Sequence, residues 1–198
     1  IRRMVGVEAF LDSANLDDLH KLFSDGVHKS AALVLLATEN VLKRPWCLLE
    51  VWEAHRTRLP VIVMPSAGRE YEADAARALL NDLEERLTAE ALDEVKQYLA
   101  SAGVDDLAGF KAALLEALGL DGNDPEPLVW EPWGSDSHIV AGVKDLLGRC
   151  AAATGRELEW HDPLAEADQV EQTAGAGSLG QRLRRMKKSF LKSMRDFI

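Results

Sequence analysis

The chain has 198 residues, 47% hydrophobic and 28% charged, enough to bury one principal core and ordinary for a globular domain. Its formal net charge of −10 argues against nucleic acid as the main partner, and no apolar run approaches the roughly 18 to 20 residues of a membrane-spanning helix. Cys47 and Cys150 stand far apart without framework or metal spacing, which suits a reducing, cytoplasmic setting.

The first predicted strand covers residues 7–11. A helix follows over residues 16–30, because Leu16, Leu19, Leu22, Phe23 and Val27 recur at three- and four-residue spacing. Residues 32–37 are apolar throughout, the pattern of a strand covered on both faces. Pro45 then opens a helix running to about residue 58, a position where its missing N–H is not needed. Another buried strand is expected at residues 61–64.

Between residues 66 and 127 the spacing predicts an α-helical insertion, with helices over 72–87, 89–102 and 106–118 and with Gly103 and Gly119 as stops. Residues 128–130 are expected to form a last short strand. A closing helix over 137–154 would take Asp136 as its N-cap and Gly155 as its stop. Residues 156–180 read as a linker, and residues 181–198 as a separate tail. Strands alternating with helices predict an α/β fold with a parallel sheet.

The ordered pieces Phe10-Leu11-Asp12, the apolar strand Ala31 to Ala37, and above all Arg44-Pro45-Trp46-Cys47-Leu48-Leu49-Glu50 resemble a TIR (Toll/interleukin-1 receptor) domain. The last run is similar to that family's W-C-x-x-E signature. The resemblance covers residues 5–154 with the insertion between. It implies a flavodoxin-like parallel sheet lacking its first strand, which either precedes Ile1 or is absent. It also implies an intracellular signalling module that works by association with other TIR domains, or alternatively an NAD+ glycohydrolase.

In the enzymatic reading Glu50 is the catalytic carboxylate. One such group suffices, since nicotinamide leaves as a neutral base and the positive charge developing on the ribose needs an anion beside it. Asp12 and Ser13, ending the strand at 7–11, are candidates for ribose contacts, though a strand-ending turn accounts for them more simply. Trp46 is carried as a nucleotide contact, while both Trp46 and Trp52 also fit core aromatics. Glu53 follows Glu50 by three residues on a neighbouring face, and a solvated helix surface explains it equally well. His20, His28 and His55 lack partners at metal spacing, so no metal site and no resident cofactor is predicted, with NAD+ entering only as a substrate.

From Gln181 onward the chain has seven basic side chains and one acid, leaving about −16 on the rest. Leu179, Leu183, Met186, Phe190, Met194 and Phe197 step along it as a helical stripe. That pattern fits an anionic membrane surface or a groove-type partner, or a helix docked on the acidic body. Deleting residues 181–198 is expected to abolish salt-sensitive cosedimentation with anionic vesicles, and Phe190→Ser with Phe197→Ser to weaken it. Cosedimentation indifferent to the deletion rejects the membrane assignment.

Overall fold

The computed structural model describes residues 22–69, 71–122, 128–131 and 133–156. The expected strand at 7–11, the start of the helix at 16–30, the linker beyond Arg156 and the basic tail lie outside the described residues. Within them the chain is a mixed α/β structure. Two parallel strands, β1 (Leu33–Ala37) and β2 (Val61–Pro65), pair in register from Leu33 opposite Val61 to Ala37 opposite Pro65.

Helix α1 (Pro45–Arg56) connects them. Arg44, just before Pro45, is extended as the proline ring demands, with φ −94° and ψ 117°. Pro45 itself takes the first helical position. After Arg56 the Thr57 hydroxyl donates to the Glu53 carbonyl at 2.8 Å, tying off a last carbonyl acceptor.

Side chains alternate across the sheet. Leu33, Leu35, Val61 and Val63 face the core built on α1, whereas Ala32, Val34, Leu36, Ile62 and Met64 face a second core with Trp130, Ile139, Val143, Leu146 and Leu147. That second core belongs to α6 (Asp136–Thr154). Both faces of the strands are therefore covered, which is why their sequences show no polar alternation.

The insertion supplies four helices: α2 (Ala73–Asn81), α3 (Leu83–Arg86), α4 (Ala89–Ser101) and α5 (Leu107–Ala117). One helix was expected where α2 and α3 stand. The break falls at Asp82, a weak helix former whose main chain leaves helical geometry and whose carboxylate accepts from Arg86 at 3.3 Å. These helices do not form a separate core. Leu79, Leu80, Leu83, Val95, Leu99, Phe110 and Leu114 join the cluster that contains Leu48, Leu49 and Trp52 of α1. The Trp52 ring meets Tyr98 edge-on at 6.2 Å and Phe110 at 6.1 Å.

Three local expectations need correction. The segment Leu22–Val27 is a π-helix rather than an α-helix, with the His28 N–H donating five residues back to the Phe23 carbonyl at 2.8 Å. The Ser30 hydroxyl takes the Gly26 carbonyl at 2.7 Å, the acceptor an α-helix would have reserved for the Ser30 N–H. Residues 128–130 make no strand: Trp130 alone bridges Ser66, and Leu128 is held by burial in the second core. The cap of α6 is Ser135, whose hydroxyl accepts from the His138 N–H, not Asp136.

Gly142 lets α6 approach the sheet. A Cβ built there would lie 3.3 Å from two atoms of the Trp130 indole, closer than packed carbons normally sit. Gly142→Val should therefore displace the indole and lower stability by about 1 to 3 kcal/mol, read as a reduced denaturant midpoint. A midpoint equal to that of the parent would mean that Trp130 is not seated on α6.

Candidate functional site

The amino end of α1 lies at the carboxyl edge of the sheet and its last turn at the amino edge, because the helix returns antiparallel to the strands it joins. Glu50 sits in the second turn, half-buried and engaged by neighbouring groups. Trp46 packs into the α1 core with its ring 6.1 Å from that of Phe23, so it is placed as a core aromatic. Asp12 and Ser13 lie outside the described residues. The structure thus gives Glu50 and Trp46 a common helix.

The best-defined polar cluster lies at the other end of α1. Glu53 is only 2% exposed, which overturns the reading of a solvated surface glutamate. Leu48, Leu49, Val51, Trp52 and Ala54 are buried around it, because α1 has protein on nearly every side. A carboxylate in such a place requires partners. Arg56, three residues on, donates through Nε to Oε2 at 2.9 Å and through Nη2 to Oε1 at 2.5 Å. His28 Nε2 lies 2.5 Å from Oε1. Burial pushes the Glu53 carboxyl up, but the Arg56 and His28 hydrogen bonds and charges outweigh it, and its pKa falls below the ordinary 4.5.

His28 and Arg56 form part of the wall of a cleft of about 470 Å³ at the amino edge of the sheet. The segments preceding β1 and β2 and the end of α6 complete it, bringing in Arg58 and Arg156. Arg58 has φ +59°, alone among the described non-glycine residues in the left-handed region. It closes α1: the Arg58 N–H donates to the His55 carbonyl at 3.0 Å and the Leu59 N–H to the Ala54 carbonyl at 2.8 Å. A side chain in that conformation costs roughly 1 to 2 kcal/mol relative to glycine.

No family model, curated protein or solved structure matches the chain. Among the described residues no cluster of three or more His, Cys, Asp or Glu side chains is placed to hold a metal ion.

The cluster on Glu53 left a signal that the sequence reading passed over. Glu53 and Arg56 stand three apart, a spacing at which opposite charges meet on a helix. Leu48, Leu49, Val51, Trp52 and Ala54 surround Glu53 in sequence and point to a helix covered all round. His28 has no local signal, since it is brought in from 25 residues away.

Glu53→Gln should destabilise the fold by about 2 kcal/mol, since Arg56 loses its counter-charge and a buried amide replaces the ion pair. The acid limb supplies the sign. Because the carboxyl pKa is lowered by folding, its contribution is present above about pH 4.5 and is lost as pH falls through the folded value. The stability gap between parent and variant, from denaturant midpoints, should be full at pH 7 and shrink below about pH 4.5. A gap that is absent at pH 7 would show that the ion pair is dispensable.

Proposed function

We propose that the chain is a TIR-type intracellular signalling module acting through association with other TIR domains. The observation that carries this reading is the β1–α1–β2 unit, in which Arg44-Pro45-Trp46-Cys47-Leu48-Leu49-Glu50 opens a helix between two adjacent parallel strands. Beyond β2, Ser66 makes a single parallel bridge to Trp130, an arrangement compatible with one side of a flavodoxin-like 2-1-3-4-5 sheet.

Association is favoured by the carboxyl edge. Trp133 is 75% exposed just after Trp130, and Val129 is 49% exposed beside it. Large apolar side chains held in water at one edge of a sheet suit a surface that is covered in an assembly. The basic tail would add a second attachment, to an anionic membrane or a groove-type partner, consistent with a cytoplasmic place of action.

The second reading is NAD+ glycohydrolysis by Glu50. It has the support of a half-buried carboxylate in the second turn of a helix that starts at the edge where open α/β sheets bind ligands. Asp12, Ser13 and Trp46 are the nucleotide contacts that belong to it, and half-buried Trp46 also packs against the core.

Sedimentation of the purified chain should show concentration-dependent self-association, weakened at least several-fold by Trp133→Ser. A chain that stays monomeric up to high concentration overturns the module. Nicotinamide release from NAD+ separates the two readings. Glu50→Gln should leave association intact, and if the parent releases nicotinamide, the variant should be slower by about a hundredfold or more. A parent that hydrolyses NAD+ and a variant that does not would make the chain an enzyme.

A further inference from the structure

Among the described residues four use the left-handed conformation at the end of a helix: Arg58, Gly103, Gly119 and Gly155. Three are glycines, the residue that adopts it without steric penalty. Gly103 and Gly119 close α4 and α5 with the same pair of hydrogen bonds that Arg58 makes after α1. Of the four, Arg58 alone lines the cleft, with a guanidinium side chain in place of a hydrogen atom. A strained arginine at a position suited to glycine points to a task for its side chain.

The surroundings indicate what the task is. Arg58 and Arg156 both line the cleft, and among the described residues neither guanidinium has an ion-pair partner. Arg56 and His28 stand on the same wall, fixed by Glu53, whose carboxylate is itself buried beneath them. The open face of the cleft is therefore cationic in a chain of net charge −10. Ser30, Thr57 and Thr154 also line it, and each hydroxyl proton is already donated to a main-chain carbonyl, Gly26, Glu53 and Cys150 respectively. Thr154 Oγ1 already accepts from the Arg156 N–H at 3.3 Å, which leaves it one lone pair, and Ser30 and Thr57 keep their acceptor positions for a ligand. At about 470 Å³ the cleft is larger than an inorganic oxyanion needs and falls in the range of small-metabolite sites.

We propose that this amino-edge cleft binds a phosphorylated polyol, its phosphate held by Arg58 and Arg156 and its hydroxyl groups donating to Ser30, Thr57 and Thr154. Guanidinium groups match phosphate oxygens in charge and fork geometry. The site is independent of the TIR reading, since it uses neither Glu50 nor the carboxyl edge.

Titration calorimetry on the whole chain at fixed, low ionic strength tests it, with glucose 6-phosphate, inorganic phosphate and glucose as probes. Glucose 6-phosphate should bind at least severalfold more tightly than inorganic phosphate, and glucose not at all. Arg58→Gly removes the guanidinium and relieves the left-handed backbone, so its melting temperature should match or exceed the parent's while affinity falls about tenfold or more. Arg156→Gln should weaken binding by a similar factor, and Arg86→Gln, on the insertion, should leave it unchanged. No heat with millimolar glucose 6-phosphate overturns the proposal, as does binding that survives both cleft variants. Equal affinity for inorganic phosphate would overturn the polyol part, and a response reproduced by potassium chloride at matched ionic strength would reduce it to screening.

Discussion

The burial of α1 is the constraint on which the other features depend. A helix that lies between a sheet and a second set of helices has almost no side left for charge, and its composition follows: leucine, valine, alanine and tryptophan on most faces. Glu53 is the exception that this arrangement can hold only if it is fully neutralised. Arg56 comes from the next turn and His28 from the segment before β1, so the carboxylate ties the helix to the strand that precedes it. Removing the charge loosens both links together, because the three groups form one network rather than two separate pairs.

The same burial divides the molecule into two edges with different characters. At the carboxyl edge α1 begins with Pro45 and Trp46, and Trp130 closes against Ser66 before the exposed Trp133. At the amino edge the last turn of α1, the π-helical segment and the end of α6 converge on arginines and hydroxyl groups. One edge is aromatic and the other cationic. A single helix spans the distance between them, so its ends face two unrelated chemical environments.

Much of the fold was legible because the relevant signals are local. The apolar runs at 32–37 and 61–64, the proline at the head of α1 and the glycines after α4 and α5 each act within a few residues, and each is found within a residue of where the pattern put it. What escaped depended on distant partners. Glu53 looks like a surface residue until α4 and α5 are known to cover its helix. The π-turn before His28 depends on how Ser30 uses the Gly26 carbonyl, and nothing in the spacing of Phe23 and Val27 distinguishes it from an α-turn. Arg58 was unreadable for the opposite reason: left-handed geometry announces itself through glycine, and here the glycine is missing. Of the predicted site, Glu50 keeps its place on α1, Trp46 packs against the core, and Asp12 and Ser13 lie outside the described residues.

The shared core of α1 and the insertion has a consequence for how the chain comes apart. Phe110, Val95 and Leu114 contribute to the same cluster as Leu48 and Trp52, so peeling the insertion away would expose the helix that joins the two strands. The insertion is therefore not an appendage that can melt first while the sheet persists. Amide protons of α1, α4 and α5 should exchange through one common opening, as a single cooperative unit, with the surface turns opening at lower energy. Replacing residues 66–127 by a short loop would then not yield a smaller stable domain but would expose the side chains that hold the whole domain together.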